Sequence, residues 1–384
     1  LLARWSENVV WQFFSGLEYY SPKPPCDASQ ISRFRGLLGE AGVEQLLKTT
    51  IETAVAIQAV DKAEFERVIV DTTVQEKAIA FPTDSRLLEV ARRKLVLIAK
   101  RSGVVLRQTF EKEGRSLKRR AGGYAHAKQY RRLRRVLKRQ RTILGRVMRD
   151  LERRLPTLAD GMKEIATLWL ERVRRIHTQR PKDKNKLYAL HAPEVECIGK
   201  GKARQPYEFG VKVGIATTEK GNLIVGARAF PGNPYDGHTL AEQIEQATIL
   251  MQDVKGAPKP HTAIVDLGYR GVEVPGVEII HRGRIKSLSA KARRLLKRRQ
   301  AVEPVIGHLK DDCGLRRNWL KGSEGDVLHP VLCAAGYNLR WLMRAIARLG
   351  LRALCSLWLL LGMLRRVLSD DRSWPVGRRL EVAN

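Results

Sequence analysis

The chain has 384 residues, with 71 lysines and arginines against 40 aspartates and glutamates, a formal net charge of +31. Apolar residues make up 43%, enough to bury a core, which argues against wholesale disorder; at roughly 150 residues per domain, the length suggests two or three domains. A surplus of this size repels itself unless a polyanion is near, which disfavours an ordinary small-metabolite enzyme and points to nucleic acid or an anionic membrane surface.

The first 60 residues read as helical. Asp27-Ala-Ser29 can cap a helix over about 31–39, and a second, over about 43–60, carries Val43, Leu46, Leu47, Ile51, Ala54, Val55 and Ile57 at helical spacing. Val68 to Val74 is short and β-branched, as in a buried strand. Residues 86–186 then hold 32 basic and 9 acidic side chains, so most of the net charge sits in about a quarter of the chain. Their apolar residues recur at helical spacing, which predicts a helical insertion with basic outer faces. Glu208–Ala216 and Leu223–Phe230 read as the arms of a hairpin, followed by a helix over about 239–251, a strand at Thr262–Leu267, a short strand at Val277–Ile280 and a long basic helical region over about 289–309.

Five widely spaced cysteines (Cys26, Cys197, Cys313, Cys333 and Cys355) form no C-x-x-C and fit free thiols in a reducing cytoplasm. The apolar stretch Leu349–Leu364, interrupted by Arg352, is short for a membrane span and predicts a buried or partner-covered helix. No P-loop, dinucleotide fingerprint or H-E-x-x-H is present, so a nucleotide cofactor and zinc peptidase chemistry are not expected. The chain opens without a Met and in mid-pattern, which suggests the remnant of a longer protein.

Two apolar runs end in an acid: Val68-Ile-Val-Asp71 and Ala263-Ile-Val-Asp266. An Asp at the end of a central strand leaves the core for the crevice at the sheet's carboxyl edge, where sites form in open α/β sheets. Parallel neighbours would set these carboxylates side by side, where a divalent cation would relieve their repulsion. Glu303 is a third acid. Arg299 and Lys310, four residues before and seven after, fall on its helix face, with a helix break at Val302 and Pro304 in the first turn of a second helix as an equally serviceable arrangement. Three hard oxygen donors suit Mg²⁺ or Mn²⁺, and two such ions can drive in-line displacement at a phosphodiester. His238 and His281 lie near the predicted crevice as secondary candidates, whereas His308, between Glu303 and Lys310, falls on a different helix face.

At these residues the sequence resembles the insertion-sequence transposases of the DDE class, in their IS-five-like branch. The resemblance runs over nearly the whole chain. It is carried by Asp71-Thr-Thr-Val-Gln-Glu-Lys77 with Phe81-Pro-Thr-Asp84, by Leu187-Tyr-Ala-Leu-His-Ala-Pro-Glu-Val-Glu-Cys197, and by Tyr207-Glu-Phe-Gly210. Gly232-Asn-Pro-Tyr-Asp-Gly237, Asp266-Leu-Gly-Tyr-Arg-Gly271 and Glu303-Pro-Val-Ile-Gly-His-Leu-Lys310 complete it. It implies an α/β fold: a ribonuclease-H-like mixed sheet flanked by helices, with an N-terminal helical domain (1–62), the first part of the catalytic core (63–85), a basic helical insertion (86–204), the rest of the core (205–349) and a C-terminal helix and tail (350–384). Asp71, Asp266 and Glu303 match the metal-binding triad. Arg299 and Lys310 match the basic positions of a Tyr-Arg-Glu-Lys signature, whose Tyr position holds Leu296 here.

The resemblance implies a transposase that cuts phosphodiester bonds at the terminal inverted repeats of its own element and directs the freed 3′-hydroxyl at target DNA. Its partners would be double-stranded DNA and a second copy of the chain, in the bacterial cytoplasm at the nucleoid. Within the insertion, Lys118, Arg119, Arg120, Arg131, Arg132, Arg134 and Arg135 are the expected phosphate contacts. The alternatives are a ribonuclease-H-like nuclease without strand transfer and an inactive basic DNA-binding remnant.

Overall fold

In the computed structural model of the chain, residues 2–199, 206–284 and 289–350 are described; Cys355, nearly all of the apolar stretch 349–364 and all but the first residue of the expected segment 350–384 lie outside them. Two short helices, α1 (Leu2–Ser6) and α2 (Val9–Phe14), precede the long α3 (Ala28–Ala56). Asp27 caps α3: its carboxylate accepts from the Ser29 and Gln30 amides, and the Gln30 side chain accepts from the Asp27 amide at 2.9 Å. The two helices expected here follow one another without a loop, and the break between them is the single residue Gly39, at φ 58°. The second half of α3 buries Val43, Leu47, Ile51 and Ala54 in the main core, so the boundary expected at residue 62 does not separate two packing units.

Strand β1 (Arg67–Lys77) follows, then helices α4 (Asp84–Arg101), α5 (Glu111–His126), α6 (Tyr130–Arg154) and α7 (Asp160–Thr178). Helix α5 packs Leu117 and Ala121 against Val136 and Ile143 of α6, and helices α4, α6 and α7 build a core of their own from Leu87, Leu95, Leu144, Leu151, Leu170 and Ile176, among others. Inside it, the paired side chains of Glu89 and Arg92 are buried and joined by two hydrogen bonds of 2.7 and 2.9 Å, a bidentate arrangement that satisfies both charges. Arg139 and Glu113 tie α6 to α5 in the same way at 2.6 and 3.0 Å.

The chain then returns to the sheet. Strand β2 (Glu196–Gly199) falls within the stretch 86–204 yet belongs to the sheet, and it is followed by β3 (Tyr207–Thr218), β4 (Ile224–Phe230) and α8 (Asp236–Met251). After β5 (Thr262–Ile264) and β6 (Glu278–Ile280) come α9 (Ala290–Arg298), α10 (Val302–Asp311), the short β7 (Arg317–Asn318) and α11 (Gly322–Arg348). The basic helical region breaks between α9 and α10, and Pro304 occupies the first turn of α10, where its missing N–H costs no helical hydrogen bond.

The sheet is mixed. β3 pairs antiparallel with β1 along one edge and with β2 and β4 along the other. On the far side of β1, β5 lies parallel to residues 67–69, β6 lies parallel to β5, and β7 pairs only with Glu76 and Lys77. A notch is therefore left beside β1 between Ile69 and Glu76. Paired residues of β1 and β3 share a face, so Val68, Val70 and Ala216 lie on one side of the sheet and Ile69, Val213 and Ile215 on the other; the main core includes residues of both faces, and Ile69, Ile264 and Ile280 pack on Ala292, Leu296 and Val302. Buried Asn338 locks α11 in place, accepting from the Ile224 amide at 3.0 Å and donating to Ile224 O and Thr50 Oγ1 at 2.8 and 3.0 Å. No helix among the described residues is long and apolar enough to cross a membrane.

Replacing Leu144, fully buried among the insertion's helices, with Ala removes packed atoms from a site with no solvent. Denaturant unfolding should show a loss of about 2–5 kcal/mol. His329, whose Nδ1 lies 2.6 Å from Gln75 Oε1, has its pKa lowered to about 4 by burial and by the nearby Arg35 and Lys77 charges. Between about pH 6.5 and 4 the unfolded chain takes up a proton that the folded one refuses, so stability should fall as the pH falls through that window. His329→Gln should flatten this part of the stability profile.

Candidate active site

Asp71 is expected at a strand end, but β1 continues six residues past it to Lys77, paired with β3 as far as Glu76. What frees Asp71 is the notch: its neighbour β5 has ended. Ile69 pairs with Ile264, and continuing that parallel register by two residues sets Asp71 opposite Asp266, both on the face that carries those isoleucines. Asp266 leaves β5 to cap the turn Leu267–Tyr269, its Oδ1 accepting from the Gly268 amide at 2.7 Å. The Thr72 amide donates to Asp71 Oδ1 at 2.8 Å.

The Asp71 carboxyl is pushed up to about 6. Burial is the main cause, with the negative charges of Asp266 and Asp236 adding to it; the Thr72 N–H and the Arg299 guanidinium pull the other way. Arg299 approaches from the turn between α9 and α10. Its Nη1 lies 3.4 Å from Asp71 Oδ2 and its Nη2 lies 3.0 Å from Glu303 Oε1. Glu303, in the first turn of α10, is thus joined to Asp71 through a shared guanidinium. Its own side chain is 62% exposed, against 17% for Asp71. Lys310 is half-buried in the last turn of α10, two turns beyond Glu303.

Among the described residues, no three acidic, imidazole or thiol groups are arranged to hold a metal ion as they stand. The pair Asp71 and Asp266 nonetheless fits a divalent cation in its chemistry. Two hard oxygen ligands share a partly buried notch, one of them held partly protonated near neutral pH by burial and by the other's charge, which is the repulsion a cation relieves.

Asp236, in the motif Gly232-Asn-Pro-Tyr-Asp-Gly237, is a further carboxylate near the notch that the sequence expectations do not include. It begins α8, and its Oδ1 receives the Thr72 hydroxyl at 3.0 Å and the Lys212 ammonium at 2.8 Å. A methyl group on Gly268 would lie 2.9 Å from both Asp236 Oδ2 and Asp266 Oδ1, so the two carboxylates meet across a glycine that has to be side-chain-free. Beneath them the Tyr269 hydroxyl is buried, and burial together with the Asp71 and Asp236 charges drives its pKa well above 10. In the sequence Asp236 falls in the loop before the expected helix at about 239–251, whereas α8 begins at Asp236 itself.

The remaining candidates separate by place. Leu296 is buried against Ile69, Ile264 and Ile280, so an apolar residue at that position has a packing role. His281 is buried and its Nδ1 accepts from the Gly283 amide at 3.1 Å. His308 pairs with Asp312 at 2.8 Å, and His238 stands edge-on to Tyr235. Lys118, Arg119 and Arg120 on α5 and Arg131, Arg132, Arg134 and Arg135 on α6 are all exposed on one helical hairpin. Arg120 and Arg132 converge on the Tyr124 ring, each 6.0 Å from its centre.

Residues 173–339 match the family described as the transposase DDE domain, a span that includes Asp236, Asp266, Arg299, Glu303 and Lys310 but not Asp71. The match supports a transposase. The chain is also 45% identical over 130 residues to a protein of Rhizobium meliloti described as uncharacterized protein ORF8 in the nfe locus. The shared region is 34% of this chain and 63% of the relative's length, so the chain spans less than two thirds of that protein. No solved structure matches the chain.

Because the folded state holds Asp71 protonated up to about pH 6 while the unfolded state ionises near 3.8, the buried carboxylate opposes folding at neutral pH. Asp71→Asn should therefore raise stability at pH 7 in chelator-treated protein by about 1–3 kcal/mol. The gain should vanish in thermal melts below about pH 4, where Asp71 is neutral in both states.

Proposed function

We infer that the chain is a DNA transposase of the DDE type, and that its sheet is a ribonuclease-H-like core. The order β4–β3–β1–β5–β6, with three antiparallel strands followed by two parallel ones, supports that reading of the fold. The observation that carries the function is the register of β1 and β5, which faces Asp71 with Asp266 in a notch that Glu303 reaches through Arg299. Asp71 and Asp266 would hold Mg²⁺ or Mn²⁺ from the sheet, and Glu303 from α10 once its carboxylate exchanges Arg299 for the ion. When bound, the ions supply Lewis acidity at the scissile phosphate and lower the pKa of an attacking water or 3′-hydroxyl.

The chain's own groups do the rest. Asp236 fixes Thr72 and Lys212 and so holds the β1 backbone beside Asp71. Arg299, when not held by the carboxylates, would donate to phosphate oxygens with its planar fork, and Lys310 adds charge on the same helix face. The exposed arginines and lysines of α5 and α6 engage the DNA backbone without reading sequence. The substrate is the pair of inverted repeats at the ends of the element, cut and joined to target DNA by two copies of the chain. Sedimentation of the protein with paired end-DNA should give a dimer.

Glu303→Gln keeps the size of the side chain and removes the charge. Cleavage of end-DNA should fall by roughly 10³-fold, equivalent to several kcal/mol of transition-state stabilisation. DNA affinity measured by fluorescence anisotropy should stay within about twofold, on the scale of a contact that makes no phosphate ion pair. Unchanged cleavage by this variant would remove Glu303 from the site. Cleavage without joining in a strand-transfer assay would leave a nuclease.

A further inference from the structure

Helix α4 turns to solvent a face that its own core does not use. Val90, Arg93, Leu97 and Lys100 follow one another at three- or four-residue steps and so share one side of the helix, with Lys94 beside them. Val90 is 38% and Leu97 41% exposed, and neither belongs to the apolar core of the insertion. The two stand two turns apart, roughly 10 Å along the helix axis. Together with Val96 they line a groove of about 480 Å³ between α4 and α5, whose other wall is Glu111 and Arg115.

The groove is held in shape from beneath. A Cβ on Gly114 of α5 would lie 2.7 Å from Arg92 Nε, so the bare glycine is what lets α5 close on the buried Glu89–Arg92 pair. The charge above this floor is one-sided. The acid in the lining, Glu111, is already paired with Arg115, whereas Arg93, Lys94 and Lys100 have no ion-pair partner among the described residues. The Lys94 ammonium lies 3.9 Å from the centre of the Trp169 ring of α7, and burial together with the Arg101 and Arg172 charges lowers its pKa.

We propose that this groove is a docking site for an acidic amphipathic helix of a partner protein, which seats apolar side chains on Val90 and Leu97 and sets carboxylates against Arg93, Lys94 and Lys100. The chemistry selects the occupant. Exposed apolar side chains at a seven-residue spacing are the anchors used by a helix laid in a groove, and they offer nothing to a phosphate backbone. Three unpaired cations repel a second copy of a chain whose net charge is +31. The chain's own segment 351–384 holds six arginines against three acids and is no better matched. An acid-rich helix satisfies the apolar pair and the cations at once. The proposal goes beyond the transposase reading and does not depend on it.

The test is titration of the full chain into a fluorescein-labelled peptide of about 15 residues, with leucines at i, i+3, i+4 and i+7 and glutamates elsewhere, read by anisotropy. A peptide of the same composition in scrambled order should bind about tenfold more weakly, since it cannot bring its leucines to one face. V90S/L97S, which keeps the charge, and R93Q/K100Q, which keeps the apolar pair, should each weaken binding of the ordered peptide by roughly tenfold or more. V90S/L97S should leave affinity for duplex DNA within about twofold and cleavage of end-DNA unchanged. Equal binding of the two peptides, or full binding by V90S/L97S with its circular dichroism intact, overturns the proposal. Vesicles of phosphatidylcholine and phosphatidylglycerol that bind the chain through Val90 and Leu97 while the peptide does not would make the face a membrane contact instead. Loss of DNA affinity in V90S/L97S equal to its loss of peptide binding would return the face to DNA. A chain that binds the ordered peptide and fails to cleave end-DNA defeats the transposase reading alone.

Discussion

The pairing of β5 with only the first three residues of β1 is the constraint on which the site depends. That short parallel ladder fixes the register that brings Asp71 level with Asp266. Its early end, with β7 rejoining β1 only at Glu76, opens the edge that exposes Asp71 to anything outside the sheet. Had β5 run on to pair with residue 71, a further strand and its side chains would close the edge beside the carboxylate. Had it slipped by one residue, Asp266 would point to the opposite face. The apolar face below, Ile69, Ile264 and Ile280 against Leu296 and Val302, holds that register by burying the isoleucines of all three strands together. The same packing delivers α10, and with it Glu303.

Electrostatics divides the molecule into two parts that solve opposite problems. In the notch, acids are gathered at a cost: burial and mutual repulsion push Asp71 to about 6, and Arg299 shares its one charge between Asp71 and Glu303. In the insertion, cations crowd the outside of a helical unit whose stability comes from its own apolar core and from a few buried or bidentate ion pairs such as Arg92 with Glu89. That second core lets a long run of arginines and lysines stay extended toward solvent without disturbing the sheet. The cationic surface and the gathered acids thus lie in separate cores of one chain, the helical insertion and the sheet.

Much of this is legible along the chain. The capping acid at Asp27, the hairpin of β3 and β4, and the basic helices each announce themselves through local pattern, because capping, turn chemistry and helical periodicity act within a few residues. The break before Val302 follows from Pro304 alone. Asp71 and Asp266 stand out because each closes an apolar run, and Glu303 because Arg299 and Lys310 share its helix face. Other features were hidden for a physical reason. The length of β1 beyond Asp71 depends on the pairing of Thr72 to Glu76 with β3, more than a hundred residues away. The membership of α3 in the sheet's core depends on α11, and Asp236 meets Asp266 only because Gly268 leaves a gap between them.

The sequence by itself determined which residues bear charge, where the helices and strands begin, and the order in which the acids and the basic insertion follow one another. These are consequences of local backbone preference and side-chain chemistry. Only the tertiary structure decided that Asp71 lies in mid-strand beside an open notch, that Asp236 joins it, and that Arg299 stands between the first acid and the last. Those arrangements come from strand register and helix packing, in which residues far apart in the chain compete for the same few ångströms.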